Sequence, residues 1–179
     1  MSMFPKHSAD LFALSKRGAN FAGRITVALM ARLRSLLASD EGDVEVELHF
    51  ATDEAGCRYV AGSARGSVEL QCQRCLERMV YPLDHTFSLA LIRSQEEEQQ
   101  VPAHYEPLIV ESEAVSLLEL VEDELILALP IIARHAEGSC SLAVASDNAR
   151  VVTGAEEGKR RPFAVLVGLK SDNSKPSSK

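Results

Sequence analysis

The fold of this chain is decided by the stretch Val44-Glu45-Val46-Glu47-Leu48-His49-Phe50. Its apolar side chains occupy every second position, and its polar side chains occupy the positions between them. Successive side chains of a β-strand point to opposite faces, so this pattern predicts a strand with one buried face and one face in water. A strand of this type needs neighbours, and the flanking sequence supplies them.

Further strand patterns follow the first one at short intervals. A turn is predicted at residues 53–56, where Asp, Glu, Ala and Gly occur together, and Val68, Leu70 and Cys72 share one face of a later strand. The predicted strands after the turn cover residues 58–61, 68–72, 79–83, 87–92 and 108–110. Because short connections join them, they indicate an antiparallel meander.

Two segments have the apolar spacing of helices. Residues 25–37 place Ile25, Leu29 and Leu33 at helical intervals, and a stronger helix is predicted from Ser116 to Leu129, closed by Pro130. A short C-terminal helix is predicted to begin at Pro162. The expected fold class is therefore α+β, with an antiparallel sheet or small barrel-like meander packed with two main helices and the short C-terminal one.

Length and charge set the domain organisation and limit the partners. With 179 residues, we expect one domain over residues 1–170, in which 1–20 are loosely held, and a disordered Ser/Lys-rich tail over 171–179. Residues 94–158 carry 2 basic and 14 acidic side chains. Such a section repels phosphate, so RNA contact is expected only from local arginines or the basic tail, and the acidic section is expected to face a basic protein.

The cysteine pair Cys72-Gln73-Arg74-Cys75 allows three interpretations. Two intervening residues let both sulfurs reach one zinc ion, and His135 and Cys140 would complete a Cys3His site. The second interpretation is a pair of reduced cysteines at the end of a hairpin. A thiol redox pair is the third interpretation, but the next residues predict a turn and another strand instead of a helix N-terminus.

Two further groups are candidate contact surfaces. The predicted helix 116–129 has an acidic face, whose members Glu119, Glu122 and Asp123 are interpreted either as a solvated surface or as a docking surface for a basic protein. Arg74 and Arg78 flank the cysteine pair and are interpreted either as solvated or as a small phosphate-contacting patch. The sequence contains no Gly-rich phosphate loop and no Ser/His/Asp order of a hydrolase, so no catalytic residues are predicted.

Three segments in this order resemble one known family. They are Leu70-Gln71-Cys72-Gln73-Arg74-Cys75-Leu76, then Tyr105-Glu106-Pro107 with Leu120-Val121-Glu122-Asp123-Glu124-Leu125-Ile126-Leu127-Ala128-Leu129-Pro130, and Arg161-Pro162-Phe163-Ala164-Val165-Leu166 with Leu169-Lys170. The resemblance is to the large ribosomal RNA subunit accumulation proteins, the YceD family. Some relatives carry additional cysteines in the segment matching residues 134–145, where this chain has His135 and Cys140.

The resemblance implies a function in ribosome biogenesis. It implies a non-catalytic accessory factor in the synthesis, processing or accumulation of 23S ribosomal RNA, which contacts that RNA or its precursor directly or through a protein. It also suggests a link to ribosomal protein L32 or to an assembly factor. The alternative is a thiol- or zinc-dependent enzyme that acts on RNA or redox partners through Cys72 and Cys75. No secretory leader or membrane span is recognised, so a cytoplasmic location without membrane contact is expected.

Overall fold

One open sheet forms the centre of the part of the chain that the structure describes. The computed structural model describes Phe4 and residues 8–140. In chain order the elements are β1 (Ser8–Ala9), α1 (Leu11–Lys16), β2 (Asn20–Thr26), a 3-10 turn (Val27–Leu29), α2 (Ala31–Arg34), β3 (Asp43–Thr52), β4 (Arg58–Gln71), β5 (Arg78–Ile92), a second 3-10 turn (Gln95–Gln100), β6 (Glu106–Ile109), β7 (Val115–Ser116) and α3 (Leu117–Ala128). The α+β class predicted from the sequence is confirmed.

The strands are arranged as an antiparallel meander with one exception. The sheet order is β2-β3-β4-β5-β6, and all neighbours are antiparallel except β5 and β6, which are parallel. In the part of the chain that the structure describes, β2 and β6 do not pair with each other, so the sheet is not a closed barrel. A separate two-stranded sheet joins β1 to β7. The predicted strands 58–61 and 68–72 are one long strand, β4, and 79–83 and 87–92 are likewise one strand, β5.

The alternation of β3 places the core on one side of the sheet. Val44, Val46, Leu48 and Phe50 are buried, whereas Glu45, Glu47 and His49 are exposed. Helix α1 packs against β3 and β4, and α3 packs against β5 and α2. The inner face is therefore covered by helices and the outer face is open to water.

The predicted helix over residues 25–37 is wrong. The chain pairs as strand β2 up to Thr26, with Ile25 opposite Val44, and only Ala31–Arg34 is helical. The free edge of β3 offers a complete ladder of backbone hydrogen bonds to these residues, and this tertiary pairing outweighs the local helical spacing. Leu29, which belonged to the predicted apolar stripe, is 42% exposed.

The second predicted helix agrees with the structure. Helix α3 begins after Ser116, whose hydroxyl accepts the N–H of Glu119 at 3.3 Å, and it ends before Pro130. The segment 1–20, expected to be loosely held, contains α1 with its buried Leu11 and Leu14. The predicted C-terminal helix and the predicted tail 171–179 lie outside the described residues. Within residues 8–140, no helix is sufficiently long and apolar to cross a membrane.

Candidate metal centre

The cysteine pair lies in the connection between β4 and β5. Residues 72–77 form a tight turn, which we call the cysteine turn. The N–H of Cys72 donates to the carbonyl oxygen of Glu77 at 2.9 Å, and the N–H of Leu76 donates to that of Cys72 at 2.8 Å. Leu76 has a φ of 63°, a left-handed conformation that is uncommon for leucine and that closes the turn. Cys72 is buried and Cys75 is half-buried.

The segment that follows α3 lies against the cysteine turn. The N–H of Gln73 donates to the carbonyl oxygen of Ala133 at 2.8 Å, and the Gln73 side-chain amide donates to that of Ile131 at 3.4 Å. These two hydrogen bonds place the following residues, His135 and Cys140, beside the two cysteines. Residues 60 positions apart in sequence are therefore brought together at one point.

The four side chains have the spacing of a tetrahedral metal site. The sulfurs of Cys72 and Cys140 lie 3.8 Å apart, and Nδ1 of His135 lies 3.3 Å from the Cys75 sulfur and 3.7 Å from the Cys140 sulfur. All four ligand atoms fall within 4.8 Å of one another. Ligands about 2.3 Å from a central zinc ion are separated by about 3.8 Å in a tetrahedron. The cluster can therefore hold one four-coordinate ion with small adjustments.

The electrostatics of the cluster favour a thiolate at Cys72. Backbone N–H groups of Cys75, His135 and Arg74 donate to the Cys72 sulfur and lower its pKa to about 5, although burial opposes this effect. Burial, together with the neighbouring sulfurs of Cys72 and Cys75, raises the pKa of Cys140 to about 11. Thiolate is the form of cysteine that binds metals, and a cation at the centre would offset the burial and the neighbouring sulfurs that raise the pKa of Cys140.

The two arginines at the cysteine turn have different surroundings. Arg74 is exposed and, among the described residues, makes no ion pair. Arg78 is also exposed, but its guanidinium lies 3.5 Å from a carboxylate oxygen of Glu69 on β4. Of these two arginines, Arg74 is therefore the one without an ion-pair partner among the described residues.

The acidic residues of α3 do not form one continuous surface. Glu122 is 5% exposed, and one of its carboxylate oxygens accepts the N–H groups of Arg32 at 2.6 Å and Leu33 at 3.0 Å. These are orphan N–H groups of the first turn of α2, whose N-cap residue Met30 supplies no side-chain acceptor. Glu122 is therefore an internal cap for α2 and does not form part of an exposed contact surface.

Of the other acidic residues of α3, two are exposed and one is buried. Asp123 is exposed and forms an ion pair with Arg32, and Glu119 is exposed. Glu124 is buried, with a carboxylate oxygen 3.2 Å from Nε2 of His85 on β5. The sequence analysis missed Arg32 and His85, because nothing in the local pattern indicates partners on other elements.

The comparisons with known proteins identify the family of the chain. A family model described as "Large ribosomal RNA subunit accumulation protein YceD" matches residues 60–170. The chain belongs to the YceD family. A YceD protein of Haemophilus influenzae, described as a large ribosomal RNA subunit accumulation protein, is 29% identical over 157 residues, which cover 87% of this chain and 90% of that protein. No solved structure matches the chain at a significant level. The part matched by the YceD model contains the cysteine turn, α3, His135 and Cys140.

Proposed function

We propose that this protein is a non-catalytic accessory factor in the accumulation of large-subunit (23S) ribosomal RNA. The support is its YceD membership and the description of the Haemophilus influenzae relative, which spans nearly the same length. The protein would act during synthesis, processing or stabilisation of that RNA, and would contact it or its precursor.

The proposal that the protein is not an enzyme is supported by one observation, the closed ligand set of the metal centre. Cys72, Cys75, His135 and Cys140 supply four ligand atoms, the number that would fill a tetrahedral coordination sphere. Catalytic zinc sites keep one position for water or substrate, whereas structural sites are closed by protein ligands. We therefore propose that the centre holds a structural zinc ion, which attaches the segment 131–140 to the cysteine turn.

Metal analysis of the purified protein tests the zinc. We expect about one zinc per chain, and a Cys140→Ser variant should lose most of it. Cys57→Ser is the matched control, because Cys57 is a free cysteine outside the cluster. Equal zinc content in the two variants, or a wild-type protein that takes up no zinc from zinc-containing buffer, would contradict the proposal.

A deletion strain tests the cellular function. We expect the ratio of mature 23S to 16S RNA to fall in cells without the protein, and to recover when the wild-type chain is supplied. A Cys72→Ser/Cys75→Ser chain should restore the ratio less well than Cys57→Ser at equal protein level. A normal ratio in the deletion strain would overturn the proposed function.

The rival function is an enzyme that uses Cys72 and Cys75 on RNA or on redox partners. The lowered pKa of Cys72 supplies a thiolate, but three further ligand atoms surround its sulfur. Incubation of the purified protein with precursor RNA, and separately with a disulfide substrate, distinguishes the two functions. Turnover that persists in wild-type protein and disappears in Cys72→Ser would favour the enzyme.

Protein partners are proposed from the charge distribution. The exposed carboxylates of Glu119 and of Asp123, which also pairs with Arg32, would face a basic protein such as ribosomal protein L32 or an assembly factor, and Arg74 would contact phosphate. Affinity purification from growing cells should recover such a partner with wild-type protein. A Glu119→Lys variant should recover less of it, because the change reverses an exposed charge without altering the core.

A further inference from the structure

Strand β2 lies at one edge of the central sheet. Among residues 8–140, β2 pairs with β3 alone. The N–H of Phe50 donates to the carbonyl oxygen of Ala19 at 2.9 Å, so these two residues form a hydrogen-bonded pair of the antiparallel ladder. Because such pairs alternate with non-hydrogen-bonded pairs, the N–H and C=O groups of Asn20 and Ala22 point away from β3. This edge therefore offers backbone donors and acceptors to an additional strand.

A groove runs beside this edge on the outer face of the sheet. Its volume is about 420 Å³, and it is lined by Asn20 and Ala22 of β2, by Glu47 and His49 of β3, and by small residues of β4. Ala22 is directly opposite Glu47 in the ladder, and its side chain is short. A second cavity of about 220 Å³ adjoins the groove and shares Ala22 and Glu47 with it. The outer face thus has room for a long side chain that enters from the edge and reaches Glu47.

Carboxylates dominate the outer face at this edge. Asp43, Glu45 and Glu47 alternate along β3 and are exposed on that face. Arg24 of β2 forms an ion pair with Glu45 at 2.7 Å, whereas Asp43 and Glu47 form no ion pair among the described residues. Arg65 of β4 is paired with a carboxylate of β5. The edge therefore carries net negative charge, which attracts cationic groups and repels phosphate.

An extended segment of a basic protein fits both the backbone groups and the charge. A strand added to a sheet edge gains affinity from main-chain hydrogen bonds and specificity from its alternate side chains. We propose that β2 binds an extended basic segment of a partner protein as an additional antiparallel strand, with lysine or arginine opposite Ala22 and Thr26. These cations would approach Glu47 and Asp43, which are the ladder partners of Ala22 and Thr26. The added strand would lie two strand spacings from β3, about 9.6 Å, which a lysine and a glutamate side chain span together.

The register also defines the sequence pattern of the partner. Positions opposite Ala22, Arg24 and Thr26 share the outer face, so the two basic residues are separated by one residue that faces Arg24 and should be uncharged. The positions between these three face the helix-covered side, where Phe21 is half-buried and Ile25 is buried, and they should be apolar. The expected pattern is therefore basic, apolar, polar, apolar, basic. The assignment of this segment to a protein of ribosome assembly rests on the proposed function.

Fluorescence anisotropy with the labelled peptide Thr-Lys-Val-Ser-Val-Lys-Thr tests the site. The matched control peptide, Thr-Lys-Val-Ser-Lys-Val-Thr, has the same composition but places its lysines on opposite faces of a strand. We expect saturable binding of the first peptide and about fivefold weaker binding of the control. N-methylation of both lysine backbone nitrogens should weaken binding by about tenfold, because main-chain hydrogen bonds to the edge are lost.

Variants of the chain test the charge separately from the backbone. Asp43→Asn/Glu47→Gln should weaken binding of the first peptide by about fivefold to tenfold, because two exposed ion pairs are lost. The matched control is Glu111→Gln/Glu113→Gln, which removes two exposed carboxylates outside the strands and should change the affinity by less than about twofold.

Several outcomes would overturn the inference. They are equal binding of the two peptides, no effect of N-methylation, equal affinity of the charge variant and its control, and no binding of the first peptide by wild type. A second copy of this chain is the other occupant that a free edge can take. A dimer in sedimentation that the peptide does not dissociate would assign the edge to that copy and would also overturn the inference.

Complementation separates this inference from the proposed function. If deletion lowers 23S RNA and the Asp43→Asn/Glu47→Gln chain restores it as well as wild type does, the edge has no part in the function and the inference fails alone. If deletion leaves 23S RNA unchanged while the peptide results hold, the proposed function fails and the peptide site stands.

Discussion

The sheet core and the segment 131–140 are held in place by different forces. In the core, Phe50, Val60 and Leu125 are completely buried, and the strands are joined by continuous backbone ladders. In the segment 131–140, Ile131 is 96% exposed and Ile132 is 52% exposed, and Ala133 is buried. Two hydrogen bonds from Gln73 and the ligand cluster fix this segment to the rest of the domain.

This difference indicates which part of the fold depends on metal. Burial of apolar surface is sufficient to stabilise the sheet with α1 and α3, since their side chains form one contiguous core. A segment with one small buried side chain gains too little from burial to offset the entropy of ordering it. The sheet should therefore fold with or without zinc, whereas the segment 131–140 should require it.

The largest effect is expected in the core. Phe50→Ala should lower the free energy of unfolding by about 3–5 kcal/mol, because it removes a fully buried ring that packs edge-on against Phe21. Urea unfolding followed by circular dichroism measures the change. Val80→Ala is the control at an exposed position on β5, with an expected effect below about 0.5 kcal/mol. Similar losses in the two variants would contradict the assignment of the core.

A smaller effect is expected where α3 caps α2. Glu122→Ala should cost about 2–3 kcal/mol, because the buried N–H groups of Arg32 and Leu33 lose their acceptor and the Arg32 guanidinium loses its buried partner. Asp123→Ala, which removes the neighbouring exposed carboxylate, should stay within about 0.5 kcal/mol. The same unfolding measurement compares them. If Asp123→Ala were the more damaging change, Glu122 would not be the internal cap.

Metal removal should affect the two regions unequally. After chelation, amide hydrogen exchange should accelerate in residues 72–77 and 131–140, while the protection of β3 and β4 should change little. The free energy of opening, derived from the exchange rates, should fall by less than about 1 kcal/mol for the amides of the core strands. Chelation of the Cys140→Ser variant is the control and should produce no further change. Uniform loss of protection across the sheet would show that the metal stabilises the whole domain.

The sequence was sufficient to predict the elements whose burial pattern is local. The alternation of Val44 to Phe50 fixed β3, and the spacing and cap of Ser116 to Leu129 fixed α3. The segment containing Ile25 was mispredicted because its strand pairing depends on the free edge of β3, which no local period reveals. The parallel pairing of β6 with β5 was missed because it also depends on a sheet edge formed by another part of the chain.

Prediction from local sequence has the same limit at the metal centre and at the acidic residues of α3. The spacing of Cys72 and Cys75 and the residue types of His135 and Cys140 were enough to propose a common ligand set, which the structure brings together. The prediction for Glu122 failed because its carboxylate bonds to Arg32, 90 residues earlier in the chain. Polar residues at helical spacing indicate an exposed face only when no other element covers them, and here α2 covers one of them.

The smallest effect concerns the buried carboxyl group of Glu124. This residue belongs to the sheet core and not to the segment 131–140. Burial raises its pKa above the usual 4.5, although the facing imidazole of His85 opposes this, and the carboxylates of Glu106 and Asp123 add to the increase. The folded state therefore holds this proton more tightly than the unfolded chain does. The resulting stabilisation is complete below about pH 4.5 and is lost as the pH rises through the raised pKa.

Glu124→Gln keeps the shape of the neutral carboxyl and cannot ionise. Relative to wild type, its free energy of unfolding should thus increase as the pH rises above 4.5 and should level off once wild-type Glu124 is ionised. Urea unfolding at a series of pH values measures the difference between the two proteins. The exposed change Asp123→Asn should show no such trend. A difference that moves in the opposite direction would mean that the pairing with His85 outweighs burial, and that this carboxylate is stabilised in its charged form.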